Sequence, residues 1–80
     1  MRTHLEKRVP ADNMFRFYHM AVVPNLFGEW TLLREWGRIG RGGQVRLDMF
    51  AERGQAERSL QTLERAKRRR GYVAAGPAAA

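Results

Sequence analysis

Residues 37–43, Gly-Arg-Ile-Gly-Arg-Gly-Gly, limit this fold more than any other stretch. Four of the seven are glycine, and each glycine costs a helix interior about 1 kcal/mol relative to alanine, so no helix crosses them. The chain has to divide there. Before the division, Met14–Val23 (MFRFYHMAVV) and Glu29–Trp36 (EWTLLREW) are aromatic and β-branched, and Pro24–Gly28 breaks them apart. Such runs favour strands. After it, Gln44–Phe50 alternates Val45, Leu47 and Met49 with Arg46 and Asp48, the period-two pattern of a strand.

From about Gln55 the period changes. Ala56, Leu60, Leu63 and Ala66 or Lys67 recur every three or four residues, one apolar stripe along an amphipathic helix. Gly71 should stop that helix, leaving Lys67-Arg68-Arg69-Arg70 in its last turn, where cations suit the helix dipole. An edge strand is expected near Leu5–Val9, ended by Pro10, with Pro10–Asn13 as a turn. The expected fold class is α+β: a small antiparallel β-sheet with one amphipathic α-helix packed on one face. Alternation sorts the two faces. Arg16, Tyr18, Trp30, Leu32, Arg34, Trp36, Gln44, Arg46 and Asp48 share one, and Phe15, Phe17, Leu33, Val45 and Leu47 share the other. The second, apolar set is expected to face the helix. Residues 1–73 form the expected domain, and 74–80, small and aperiodic, are expected to be disordered.

Eighty residues allow one domain with one small core. The absence of cysteine removes disulfides, thiolate metal sites and a cysteine nucleophile. No apolar run reaches the roughly 18 residues of a membrane span, and the N-terminus lacks the apolar stretch of a signal peptide. A monomeric, cytoplasmic protein with no membrane partner is expected. The charge is lopsided: residues 1–35 hold five bases and four acids, residues 36–80 ten bases and four acids, within a net charge of +7. A one-sided basic excess fits a polyanion, and it equally fits a solvated basic helix; composition leaves both open.

Catalysis is not expected. His4 and His19 have no metal-ligand spacing, Ser59 lies inside the predicted helix with no base beside it, and the carboxylates are scattered. No cofactor is expected either, since Gly37–Gly43 lacks the Gly-Lys-Ser/Thr of a nucleotide loop and leads into a strand. A nucleic-acid reading suits the loop better. Arg38 and Arg41 can reach phosphate oxygens, the glycines let the backbone approach them, and Trp36 offers a flat surface to a sugar or end base. The alternative is a plain hairpin with Trp36 in the core.

At Trp36-Gly37-Arg38 the chain resembles a known family, the WGR domain, named for those three residues. The resemblance runs from about residue 5 to 73. It includes Arg16–Tyr18, Leu26–Trp30, Trp36–Gly40, Gly43-Gln44, Phe50, Ala56 and Lys67–Tyr72. WGR domains occur in poly(ADP-ribose) polymerases and as short bacterial proteins, and the resemblance implies a small antiparallel sheet with one helix. In the polymerases the domain binds DNA near strand breaks; its motif tryptophan packs on the sugar at the DNA end and its motif arginine helps hold that end. Carried over, Trp36 and Arg38 take those positions, flanked by Gly37, with Gln44 and Tyr72 close by and Asn13 near a DNA-contacting stretch. Together with Arg41, Lys67 and Arg68 from the basic pattern, these are the expected nucleic-acid-binding residues. DNA, at ends or breaks, is the expected partner. A protein partner docking on the aromatic and arginine face, or RNA, is the alternative. ADP-ribosyl transfer is not implied, because no catalytic domain accompanies the motif here.

Overall fold

The computed structural model describes residues 1–75. Five strands and one long helix run in the order β1 (Arg2–Val9), β2 (Met14–Pro24), β3 (Trp30–Arg38), β4 (Gln44–Phe50), α1 (Arg53–Arg69) and β5 (Val73–Ala74), with a 3-10 turn at Pro10–Asp12 between β1 and β2. The sheet is antiparallel in the order β4-β3-β2-β1-β5. The first four strands are thus a meander, each pairing with the strand before it in sequence. That is the arrangement short turns permit. Among the described residues no helix is long and apolar enough to cross a membrane.

Local chemistry explains each turn. Pro10 opens the 3-10 turn and Asn13 closes it in the left-handed conformation (φ 51°), with its N–H donated to the Pro10 carbonyl at 2.9 Å. The Asn25 side-chain oxygen accepts from the N–H groups of Phe27 (2.9 Å) and Glu29 (3.1 Å), which ties the β2–β3 turn. Gln55 accepts the Glu52 N–H at 3.3 Å at the start of α1. Gly71, at φ +96°, ends the helix, and the Tyr72 N–H returns to the Lys67 carbonyl at 3.1 Å.

The core lies between α1 and the two inner strands of the meander. Leu5, Met20, Leu32, Ala56 and Leu60 are fully enclosed, joined by Tyr18, Val22 and Tyr72, with Trp30, Trp36, Phe50 and Leu63 packed at its margins. Register places Leu5 opposite Tyr18, Tyr18 opposite Trp36 and Val22 opposite Leu32. The helix therefore covers the face that carries Tyr18, Leu32, Arg34 and Trp36. This reverses the expected side. Phe15, Phe17, Leu33, Val45 and Leu47 do share a face, but it is the one away from the helix. The reason is that α1 supplies a narrow stripe that covers the middle of the sheet and leaves polar residues beyond its footprint. Leu5, Met20 and Val22 outweigh the arginines in choosing the side.

Two further differences concern the chain ends. β1 is longer than expected and is not bare along its outer side, because β5 pairs with it, Ala74 opposite Leu5 and Val73 opposite Glu6. Of the segment 74–80 expected to be disordered, Ala74 lies in that strand and the Ala75 N–H is donated to the His4 carbonyl at 3.0 Å. The rest of that expectation lies outside the described residues.

Candidate nucleic-acid interface

Helix α1 crosses the sheet with its start over Trp30, where the Arg53 guanidinium sits 5.3 Å from the ring centre. Its end lies over Tyr18 and Tyr72, where Lys67 Nζ is 4.4 Å and 5.7 Å from the two ring centres. Past that end the sheet is uncovered, and the residues of the Trp-Gly-Arg strand emerge. Trp36 is half-buried and stacks on Tyr18, with centroids 5.7 Å apart and planes 13° from parallel. Gln44 stands exposed directly opposite Trp36.

Cations ring this pair of aromatics. Lys67 is pushed below its ordinary value of 10.5 first by burial and then by the charges of Arg70, Arg34 and Arg16. Among the described residues no carboxylate lies within ion-pairing distance of Lys67, Arg16 or Arg70. Arg34 is largely covered. Its Nε lies 3.5 Å from Asp48 Oδ2, close enough for an ion pair, yet it makes no hydrogen bond and is shut off from solvent. Arg46 stands directly opposite it and is held 3.1 Å from the same carboxylate. One carboxylate thus serves two arginines. Burial also raises the pKa of Tyr18, against the pull of Arg34 and Arg46. A group of like charges held this close around an aromatic floor favours an anion in its midst.

The hairpin between β3 and β4 is tight. A Cβ on Gly37 would come within 3.0 Å of the Gly43 Cα, and one on Gly43 would press into the Trp36 carbonyl. Gly40 holds φ +86°. Glycines at 37 and 43 are therefore what lets the two backbones close beside the tryptophan. The Arg41 N–H is donated to the Arg38 carbonyl at 3.1 Å within this turn, and both side chains are exposed.

The residues expected from sequence divide accordingly. Trp36, Gly37, Gln44 and Lys67 come together. Arg38 and Arg41 lie at the same end of the sheet, but Arg38 turns toward the β1–β2 turn. Its Nη1 donates to the Asn13 carbonyl (3.2 Å), its Nη2 to Asn13 Oδ1 (3.3 Å), and its guanidinium lies 5.2 Å from the Phe15 ring centre. Arg68 leaves the group: it pairs with Glu64 at 2.8 Å, a turn earlier on the helix. Tyr72 is a core residue that supports Lys67 from below. Arg16, Arg34, Arg46 and Arg70 are the additions. Strand alternation already put the first three beside Tyr18 and Trp36; only the side taken by the helix hid their meaning.

A hollow of about 410 Å³ on the opposite face is lined by Phe17, Ile39, His4 and His19, together with the carboxylates of Glu6 and Glu35. Those carboxylates disfavour a polyanion.

A small open sheet with stacked aromatics and, at the end of its helix, cations that have no carboxylate partner among the described residues is the surface of a binding module. The WGR domain model matches residues 1–79, and the chain belongs to the WGR domain family. It is 46% identical over 71 residues to the "Uncharacterized protein y4dW" of Sinorhizobium fredii (strain NBRC 101917 / NGR234), a match covering 89% of this chain and 35% of the relative. The chain thus spans about a third of the length of that relative. No solved structure matches it. The WGR domain is a binding module known in nucleic-acid-binding contexts.

Proposed function

We propose that this chain binds DNA at ends or breaks, with the exposed side of Trp36 against the terminal sugar or base and phosphates on Lys67, Arg16 and Arg70. One observation carries the reading: Trp36 stacked on Tyr18, with Lys67 lying over Tyr18 among three arginines and no carboxylate partner among the described residues. Stacking tolerates any base, and cations recognise the backbone, so sequence preference is weak while an exposed end is favoured. Arg38, held by Asn13, and the exposed guanidinium of Arg41 contact the strand beyond the end.

The test is a titration of blunt 5′-phosphorylated duplexes and closed circles at several salt concentrations. With about four phosphates neutralised, log K falls with log salt at a slope of about −3.6. Trp36→Ala removes the preference for ends and retains the binding to circles. Absence of binding at low salt, or affinity indifferent to salt, refutes the reading. Tighter binding to single-stranded RNA in competition would transfer it to RNA.

A further inference from the structure

We propose that two copies of this chain pair edge to edge through β4, antiparallel, about a two-fold axis at Leu47. The proposal departs from the monomer expected from the sequence. It is argued separately from the nucleic-acid reading: its apolar residues, Val45, Leu47 and Met49, lie on the opposite face, while Arg46 and Asp48 share the face of Trp36.

β4 is the outermost strand on its side of the sheet, with no strand beyond it among the described residues, whereas β5 covers part of the other edge. Its pairing with β3 runs unbroken from Trp30 opposite Phe50 to Trp36 opposite Gln44. It contains neither proline nor glycine. Two of the usual devices that blunt an edge, a bulge and a proline, are absent from it; its charges, Arg46 and Asp48, are of opposite sign. Val45, Leu47 and Met49 point away from the helix and remain 57%, 53% and 55% exposed. An unbroken edge with one apolar face is a template for a further strand.

Charge then selects both the partner and the register. In an antiparallel pair whose helices share one side of the sheet, each residue stands opposite one of the same face. With the axis at Leu47, Arg46 meets Asp48 of the second copy and Asp48 meets its Arg46. Val45 meets Met49, Leu47 meets Leu47, and all seven residues of the strand are used. Moving the axis to Arg46 sets arginine against arginine, and moving it to Asp48 sets aspartate against aspartate. Like charges directly opposite destabilise a strand pair. The strand is complementary to itself in one register.

One strand per copy makes a small interface, below about 1,200 Å² in total, and such contacts are weak. The expected mass therefore rises from 9.3 kDa toward twice that value as concentration increases through the micromolar range.

The native chain has no cysteine, so single cysteines report the register directly. Val45→Cys, Leu47→Cys and Met49→Cys change three similarly exposed positions. Only position 47 meets itself, at the roughly 4.5–5.5 Å Cα separation of opposed antiparallel residues, which a disulfide spans. Leu47→Cys is expected to oxidise to a covalent dimer at least tenfold faster than either of the others. Val45→Cys and Met49→Cys should cross-link to each other when mixed. Leu47→Lys should hold the mass at 9.3 kDa with its helical circular dichroism intact. Equal oxidation at all three positions, or a native chain that stays monomeric at millimolar concentration, overturns the proposal. Capture of a foreign edge strand instead of a second copy would show as that monomer.

Discussion

Gly43→Ala is the sharpest perturbation the hairpin offers. An added methyl would sit 2.8 Å from the Trp36 carbonyl carbon and 3.0 Å from Phe17 Cζ, and closer still to the Trp36 carbonyl oxygen. Backbone cannot rotate aside as a flexible side chain does, so β3 and β4 must part beside Gln44. Overpacking of this sort costs about 1–3 kcal/mol. In a domain of this size each kcal/mol moves Tm by about 4–8 °C, so a fall of roughly 10 °C is expected. The neighbouring glycines calibrate the result. Gly40 has open space around it but holds φ +86°, so Gly40→Ala should lose about 1 kcal/mol to backbone strain. Gly42 has neither a neighbour within 4 Å nor a positive φ, and Gly42→Ala should stay within about 0.5 kcal/mol of the native chain. Thermal unfolding followed by circular dichroism ranks the three. If Gly42→Ala costs as much as Gly43→Ala, or if Gly43→Ala leaves Tm unchanged, the close-approach reasoning is wrong.

Other outcomes follow from the charge arrangement. Lys67→Met should not lower stability in the absence of nucleic acid, since burial and three arginines already oppose the native charge; the same variant should bind all duplexes more weakly, with a salt slope smaller by about one. Because the folded pKa of Lys67 lies below 10.5, the unfolded chain holds more protons between the two values. Native stability should therefore rise relative to Lys67→Met as pH approaches 10.5, measurable by urea unfolding. His19 is lowered from 6.5 by burial and then by His4 and Arg2. The unfolded chain protonates first, so stability should fall as pH drops below 6.5, and His19→Asn should flatten that fall. A native profile as flat as the variant's would exclude His19 as its source.

Much of the fold was legible because local signals dominate a meander. The strands at Met14, Trp30 and Gln44 and the stop at Gly71 each follow from a run or breaker a few residues long. The side taken by the helix was not legible. Val45, Leu47 and Met49 alternate more cleanly than any other run, which reads as a core strand, yet they lie on an edge strand and point to the face away from α1. The true core strand reads as an unbroken Met20–Val23 run, where period two is invisible. β5 escaped because two residues carry no period at all; only the distant Leu5–Glu6 gives them a partner. In the candidate site, Trp36 and Lys67 were legible from motif and charge. Arg68 was not separable from Lys67 in a four-residue basic run, since only helical geometry turns one toward Tyr18 and the other toward Glu64.

The order of the elements also has a consequence in time. All four strands of the meander precede α1 in the chain, so the strands are made before the helix that covers their apolar side. At about 5–20 residues per second, the stretch from Ala51 to Tyr72 takes roughly one to four seconds to make. Until α1 docks, Leu5, Met20 and Leu32 have only water, or a chaperone, to cover them once they emerge. Completion waits on the last residues of the helix, and with them the aromatic floor beneath Lys67 closes.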